Sequence, residues 1–250
     1  MSDNVTGTTL AESLSASPPL PASVFALDSL DLAALLCSRV CHDVISPVGA
    51  IVNGLEVLED DKDPEMRAFA IDLIKKSAKT ASARLQFCRL AFGAAGSAGA
   101  SIDTGDAENV TRNLIADHRT KLEWNAARVL MAKNKVKLVL NLCMIAAAAI
   151  PRGGVITVTI TGADDTTAIK VSAVGTNSRL AHSVPSLLAG KPEGESVDAH
   201  GIQAFYTGLV ARACGLGLTV DAAPEGVTIM ASPHISASAQ TAQESSEAAA

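Results

Sequence analysis

The sequence predicts an α+β protein in which a helical hairpin, paired with a second copy as a four-helix bundle, precedes an α/β sandwich. Hydrophobic residues make up 48% of the 250 residues but aromatic residues only 3%. Leu, Ile, Val and Ala must therefore fill the core, and abundant Ala favours closely packed helices. A long apolar stripe at helical spacing follows residue 28, whereas segments rich in β-branched residues at strand spacing lie beyond residue 100.

The first predicted helix covers residues 29–60, where apolar side chains recur at the spacing of one helical face. The stripe consists of Ala33, Cys37, Val40, Val44, Val48, Ile51, Leu55 and Leu58. A stripe of this length predicts a helix that packs against another apolar surface.

His42 lies on the side of this helix opposite the stripe. Its neighbours on that side are Arg39, Ser46, Gly49 and Asn53. Pro47 removes a backbone hydrogen bond and crowds the preceding turn, which predicts a bend just after His42. The histidine should therefore point outward above a bend, with Asp43 beside it.

A second helix is predicted to begin at Asp63-Pro64, because Asp is a good N-cap and Pro is tolerated at the first helical position. Its apolar or small residues at helical spacing are Met66, Ala70, Leu73, Ser77, Ala81, Leu85, Cys88 and Phe92. The short connection predicts an antiparallel hairpin over residues 28–93. A lone hairpin leaves its apolar stripe half covered, so we expect a homodimer with a four-helix bundle.

The second helix also carries a row of basic side chains. They are Lys75, Lys76, Lys79, Arg84 and Arg89. The row is either an ordinary solvated face or a basic rim that receives an acidic partner.

The Gly- and Ala-rich residues 94–103 are predicted to form a linker to a second domain at residues 104–231. In that domain the patterns predict helices at 106–118, 133–150 and 199–214, and strands at 121–124, 155–161, 168–174, 216–222 and 227–231. This order is typical of an α+β sandwich. Residues 1–27 and 232–250 lack apolar periodicity and are expected to be disordered tails.

Charge and composition exclude several functions. The net charge of −6 and the lack of an extended Lys/Arg run argue against binding to nucleic acid or an anionic membrane. No segment has eighteen consecutive apolar residues or a signal-peptide pattern, so we expect a cytoplasmic protein. The five cysteines are interpreted as reduced core residues. Cys37 and Cys41 lack a second Cys/His pair, so no metal site is predicted.

The residues from His42 to Pro47 resemble the phospho-acceptor box of two-component histidine kinases, in which a histidine, an acidic residue and a proline lie on the first helix of a dimeric bundle. The longer segment LCSRVCHDVISPVGAIVNGLEVLE is more similar to ChpT-type histidine phosphotransferases. That resemblance extends over about residues 29–231 and implies that His42 is the phosphohistidine.

The second domain resembles the ATP-binding domain of histidine kinases but departs from its motifs. The asparagine motif keeps Asn141 and Leu142 but has Ile145 and Ala148 at its metal-binding and lysine positions. The next motif keeps Gly175 but has Ala173 at the position of the adenine-binding aspartate and Asn177 at that of the second glycine. The glycine-rich lid is not recognisable, although Gly201 falls near its end. Aliphatic side chains cannot coordinate a hard cation, which prefers oxygen ligands. The resemblance therefore implies a degenerate kinase-like domain with no bound ATP, metal or other cofactor.

The resemblance also implies roles for the residues around His42. A neutral imidazole can attack phosphorus, and Asp43 either orients the ring or is an ordinary solvated residue. Arg39 is expected to meet phosphoryl oxygens. The other expected supporting and partner-binding residues are Ser46 and Asn53, which offer hydrogen bonds, Gly49, which leaves room for a partner, and Pro47. His118, His182, His200 and His234 lack such surroundings and receive no role.

The favoured function is that of a phosphorelay intermediate. By resemblance, phosphate passes from the receiver aspartate of a CckA-like hybrid kinase to His42, and then to CtrA-like and CpdR-like response regulators, with Mg²⁺ carried by the partner's receiver domain. Two alternatives stay open. One is an ATP-dependent histidine kinase with a divergent nucleotide site, and the other is a noncatalytic dimer that binds receiver domains.

Overall fold

The structure is a computed structural model that describes residues 25–60, 62–93 and 100–233. The elements in chain order are α1 (Ser29–Asp60), α2 (Pro64–Ala91), β1 (Ser101–Asp103), α3 (Thr104–Ile115), β2 (Thr120–Asn125), β3 (Leu130–Ala132), α4 (Lys133–Ala149), β4 (Gly154–Thr161), β5 (Ala168–Val174), α5 (Ser183–Leu188), α6 (Ile202–Ala213), β6 (Leu216–Ala223) and β7 (Gly226–Pro233). Two long helices followed by a mixed helical and sheet domain confirm the predicted α+β class.

Helices α1 and α2 pack along each other as a hairpin. Asp63 caps α2, because its Oδ1 accepts a hydrogen bond of 3.1 Å from the backbone N–H of Glu65. The two helices approach closely at Gly54, where a Cβ atom would lie 2.7 Å from Cγ1 of Ile74 and 3.3 Å from the carbonyl oxygen of Ala70. Helix α1 continues through Pro47, which is buried.

The predicted apolar stripe of α1 is only partly covered within one chain. Val44 and Ile51 are half-buried, whereas Val48 and Leu55 are 44% and 48% exposed. The reason is that α2 shields one side of the stripe, so the side chains at its edge stay uncovered. Cys37 and Cys41 are also exposed, so the expectation that all the cysteines lie in the core is wrong for these two.

Helix α1 is long and apolar enough to cross a membrane, by length and composition alone. A single such helix is weak evidence, because helices of soluble proteins pass the same test. Here α1 packs along α2 and carries the ion pair between Arg39 and Asp43 on its surface.

The second domain is a helical layer on one face of a five-stranded sheet with the order β2-β4-β5-β7-β6. Strands β2 and β4 are parallel, and the other neighbours are antiparallel. Alternate side chains such as Ile156, Val171 and Ile229 are fully buried, as the period of a strand requires. They pack in one core with residues of α4 and α6, including Leu142 and Phe205.

Three segments differ from the sequence-based expectation. Residues 101–103 do not continue the linker but form β1, which pairs with β3. Helix α5 lies in a region expected to be loop. All three elements, β1, β3 and α5, have only three to six residues, which is too short to give a clear period.

The ends of the fold also extend past the predicted limits. Phe25 belongs to the expected N-terminal tail, yet its ring lies 6.0 Å from that of Phe205 and its N–H donates to the carbonyl of Gly190. Strand β7 continues to Pro233. Residues 1–24 and 234–250 of the predicted tails lie outside the described part of the chain.

The two domains contact each other directly. Leu32, Leu35 and Leu36 of α1 pack against the core of the second domain. At the same end of the hairpin, away from its turn, Phe87 and Leu90 of α2 share a second apolar cluster with α3 and α4. The orientation of the first helix relative to α6 is therefore set by packing.

Candidate functional site

His42 lies on the surface of α1, and 71% of its side chain is exposed. Its Nδ1 atom is 3.5 Å from Oδ1 of Asp43. This separation is at the long end for a hydrogen bond, as is common in a site without its substrate. A carboxylate beside Nδ1 favours the tautomer with its proton on that nitrogen, which leaves the lone pair of Nε2 available.

Asp43 connects His42 to Arg39. The second carboxylate oxygen of Asp43 accepts a hydrogen bond of 3.2 Å from Nε of Arg39, and both side chains are mostly buried. Arg84 of α2 donates to the backbone carbonyl of Asp43. Arg39 thus lies one turn before His42, as predicted, but its Nε contacts Asp43, so in this conformation it acts on the imidazole through the carboxylate.

A cavity of about 290 Å³ opens beside this ion pair, between the hairpin and the second domain. Arg39, Asp43 and Arg84 line it on the hairpin side, and Leu114 and Met144 line it on the other. The mostly apolar wall limits the access of water to the Asp43 carboxylate, which strengthens its contacts with Arg39 and His42.

The face of α1 that carries His42 is open. Ser46 and Asn53 are exposed, and a Cβ atom at Gly49 would meet nothing within 4 Å. These three residues therefore lie on the same exposed face of α1 as His42, as the helical spacing predicts. Pro47 differs, because it is buried and can affect a partner only through the shape of the helix.

The basic row on α2 does not form one continuous rim. Lys75, Lys79 and Arg89 are exposed, but Lys76 is paired with Asp72 at 2.7 Å. Arg84 points toward α1 and contacts Asp43. Only part of the predicted basic surface is available to a partner.

His200, which received no role from the sequence, lies beside His42. The centroids of the two rings are 6.3 Å apart and their planes are inclined by 77°. No local pattern could reveal this contact, because His200 precedes α6 in the second domain and meets His42 only through the packing of α1 on α6.

The kinase motif residues that this chain retains have structural roles. Asn141 is fully buried, and its Nδ2 donates to the carbonyls of Ala91 at 3.2 Å and Lys137 at 2.9 Å, which ties α4 to the end of α2. A Cβ atom at Gly175 would lie 2.4 Å from the carbonyl oxygen of Gly153, so glycine is required there by a close backbone approach. Ala173, which departs from the kinase motif, is fully buried in the core.

The other candidate reactive groups are the cysteines. Burial raises the pKa of the Cys88 thiol to about 11 and that of Cys143 to about 12, so both are protonated at neutral pH. The hydrogen bond with Cys37 raises the pKa of Cys41. Within residues 25–60, 62–93 and 100–233, no group of three His, Cys, Asp or Glu side chains is placed to hold a metal ion.

The fold and the site together define a class of protein that presents an exposed histidine on a helical hairpin and packs that hairpin against an α/β domain. The family model named histidine phosphotransferase C-terminal domain matches residues 104–226. A curated relative, the protein phosphotransferase ChpT of Brucella abortus (strain 2308), is 48% identical over 205 residues, which cover 82% of this chain and 97% of the relative.

A solved structure described as a bacterial phosphotransferase at 1.7 Å has 45% sequence identity and a TM-score of 0.76, and the match covers 84% of this chain and all of that one. The chain belongs to the histidine phosphotransferase family that contains ChpT. Membership in this family supports a phosphotransferase role.

Proposed function

We propose that this chain is a phosphorelay intermediate in which His42 carries the phosphoryl group. The donor is the receiver aspartate of a CckA-like hybrid histidine kinase, and the acceptors are the receiver aspartates of CtrA-like and CpdR-like response regulators. The observation that carries the proposal is the exposed imidazole of His42, with Asp43 on its Nδ1 side, in a chain that belongs to a phosphotransferase family.

The transfer requires two displacements at phosphorus. The Nε2 lone pair of His42 attacks the acyl phosphate of the donor, the P–O bond breaks, and the donor aspartate leaves as a carboxylate. In the second step a receiver carboxylate attacks the same phosphorus, the P–N bond breaks, and the neutral imidazole is restored. Neither step needs an oxidant or reductant, and the Mg²⁺ that neutralises phosphoryl oxygens is expected in the receiver domain.

Asp43 and Arg39 prepare the imidazole for both steps. The proton on Nδ1 stays near the Asp43 carboxylate, which stabilises the positive charge that the ring gains when Nε2 is phosphorylated. Arg39 holds that carboxylate in place through Nε. The open surface at Ser46, Gly49 and Asn53 leaves room for a receiver domain to reach His42.

We also propose that the working form is a homodimer whose four-helix bundle is built from two hairpins. Val52 and Leu55 on α1 are 47% and 48% exposed, and Phe69 on α2 is 64% exposed. Such a concentration of uncovered apolar side chains on one hairpin favours association. A second copy of α1 and α2 offers a matching apolar face, and the net charge of −6 disfavours an anionic membrane as the alternative.

The second domain is proposed to support the hairpin and to contact the regulators without binding ATP. Ile145 is buried and Ala148 and Ala173 carry no polar atom, so these positions offer no ligand for magnesium or adenine. Autophosphorylation from ATP is therefore not expected, and phosphate should enter only from a phosphorylated protein. The site of action is proposed to be the cytoplasm, where receiver domains and their kinases meet.

A two-receiver relay tests the proposal. A phosphorylated donor receiver, freed of ATP, is mixed with the full-length protein and then with a second receiver domain. Label should pass through the protein to the second receiver, and His42→Ala should stop it. A matched control is His182→Ala, because His182 is a similarly exposed histidine in the second domain. Transfer that is equally fast without the protein would refute the relay function.

A further inference from the structure

His200 belongs to no predicted site, yet the fold places it against the proposed phosphohistidine. The ring centroids of His42 and His200 are 6.3 Å apart with the planes at 77°, so one ring presents its edge to the other. The N–H groups of an imidazole lie in the plane of its ring, at the periphery. Both side chains are exposed, so the contact is not forced by core packing.

We propose that His200 is a phosphoryl-binding residue whose imidazole N–H donates a hydrogen bond to the phosphoryl group on His42. Nδ1 of His42 faces Asp43, so the phosphoryl group is attached at Nε2, the nitrogen that has no carboxylate beside it. The three acceptor oxygens of a phosphoryl group fill space around that nitrogen. The inference rests on the proposed function, since it requires a phosphoryl group on His42.

The segment that holds His200 is fixed by hydrogen bonds. Oδ1 of Asp198 accepts from the backbone N–H of His200 at 3.1 Å and of Gly201 at 2.7 Å. The carbonyl of Asp198 accepts from Ile202 at 2.9 Å, which joins the segment to the first turn of α6. Since Ile202 and Phe205 are fully buried, His200 is carried by a well-anchored end of α6.

The same core fixes the position of His42. Leu32, Leu35 and Leu36 of α1 pack against the apolar cluster that contains Ile202 and Phe205. The two histidines are therefore held by two helices that contact each other, and their separation does not depend on a long loop.

A hydrogen-bond donor at this position offsets the repulsion between the Asp43 carboxylate and the phosphoryl group. The Asp43 carboxylate favours the reactive tautomer of His42, but it also repels the negative phosphoryl group once transfer has occurred. Arg39 offsets part of that charge through its contact with Asp43. An N–H of His200, in either the neutral or the protonated ring, adds a direct contact to the phosphoryl oxygens. Without it, phosphorylated His42 should be less stable and should form more slowly.

Two substitutions separate hydrogen bonding from ring packing. His200→Phe keeps a planar ring but has no N–H donor, whereas His200→Gln keeps a donor and loses the ring. Single-turnover transfer from a phosphorylated receiver should be slowed roughly five- to tenfold by the Phe variant, and the Gln variant should recover most of that loss. The phosphorus NMR signal of the phosphohistidine should shift in the Phe variant and stay near its wild-type position in the Gln variant.

His182→Phe is the matched control, because His182 is an exposed histidine of the same domain that pairs with Glu193. It should leave both the rate and the NMR signal unchanged. Normal transfer by His200→Phe would overturn the inference. If His200→Gln were impaired in that case, the contribution of His200 would come from packing of its ring and not from a hydrogen bond. If wild-type protein takes no label on His42, the proposed function fails together with this inference. A labelled wild type beside an unaffected Phe variant refutes the role of His200 alone.

Discussion

Replacing Asp43 tests whether the carboxylate prepares His42 for attack. Asp43→Asn keeps the size of the side chain and removes its charge, and Asp43→Ala also removes the acceptor. The backbone carbonyl of residue 43 still accepts from Arg84 in both variants, so the local helix contact is retained. The change is therefore confined to the contacts of the carboxylate with Nδ1 of His42 and Nε of Arg39.

The geometry of the contact between Asp43 and His42 limits how much a substitution of Asp43 should slow transfer. A well-formed hydrogen bond to a charged group contributes about 1.5 to 3 kcal/mol. The 3.5 Å separation and the 71% exposure of His42 reduce this. We expect Asp43→Asn to raise the transfer barrier by about 1 kcal/mol, which is a roughly fivefold slower rate. Asp43→Ala should be slower still, because it leaves no acceptor for the Nδ1 proton.

The assay is single-turnover transfer from a labelled receiver, with thermal melting of each variant measured in parallel. Loss of the ion pair between Arg39 and Asp43, whose side chains are mostly buried, should lower the free energy of unfolding by about 1 to 3 kcal/mol. Wild-type rates in both well-folded variants would refute the proposed role of Asp43. A rate loss that merely follows a loss of folded protein would also contradict it.

Three further predictions concern stability, assembly and nucleotide binding. Asn141→Leu removes the hydrogen bonds to the carbonyls of Ala91 and Lys137 and should lower the free energy of unfolding by about 1 to 3 kcal/mol. Denaturant titration measures this change, and an unchanged unfolding midpoint would contradict the structural role of Asn141. Phe69→Glu should raise the dissociation constant of the dimer at least about thirtyfold, measured by sedimentation, because the interface would bury a charge. The control Leu130→Glu, which alters a 75% exposed residue of the second domain, should leave that constant unchanged. Calorimetry with Mg-ATP should detect no micromolar binding, and such binding would favour the kinase alternative.

The sequence predicted the long elements well, because each has enough residues to show its period. Helices α1 and α2, and strands β4, β5 and β6, lie within a residue or two of their expected limits. The short strands β1 and β3 were missed, since three residues show no alternation. Phe25 was assigned to a tail because its anchor, the ring of Phe205, is remote in sequence.

The same distinction between local pattern and remote packing holds for the candidate site. The outward positions of His42, Ser46 and Asn53 follow from helical geometry, and the sequence therefore predicted them. The contact between Arg84 and Asp43 and the approach of His200 depend on how separate helices pack, which no local pattern contains. The packing of both helices of the hairpin on the second domain also means that assembly is best tested on the full chain.

The residue that carries the phosphoryl group is the most direct test of the central claim. Full-length protein is phosphorylated by a labelled receiver domain, digested at neutral to alkaline pH to preserve phosphohistidine, and sequenced by mass spectrometry. The account predicts a single acid-labile phosphoryl group on the imidazole of His42, and none in the His42→Ala variant, which should stay folded because this side chain is mostly exposed. A phosphoryl group on any other residue, or undiminished labelling of folded His42→Ala protein, would contradict it.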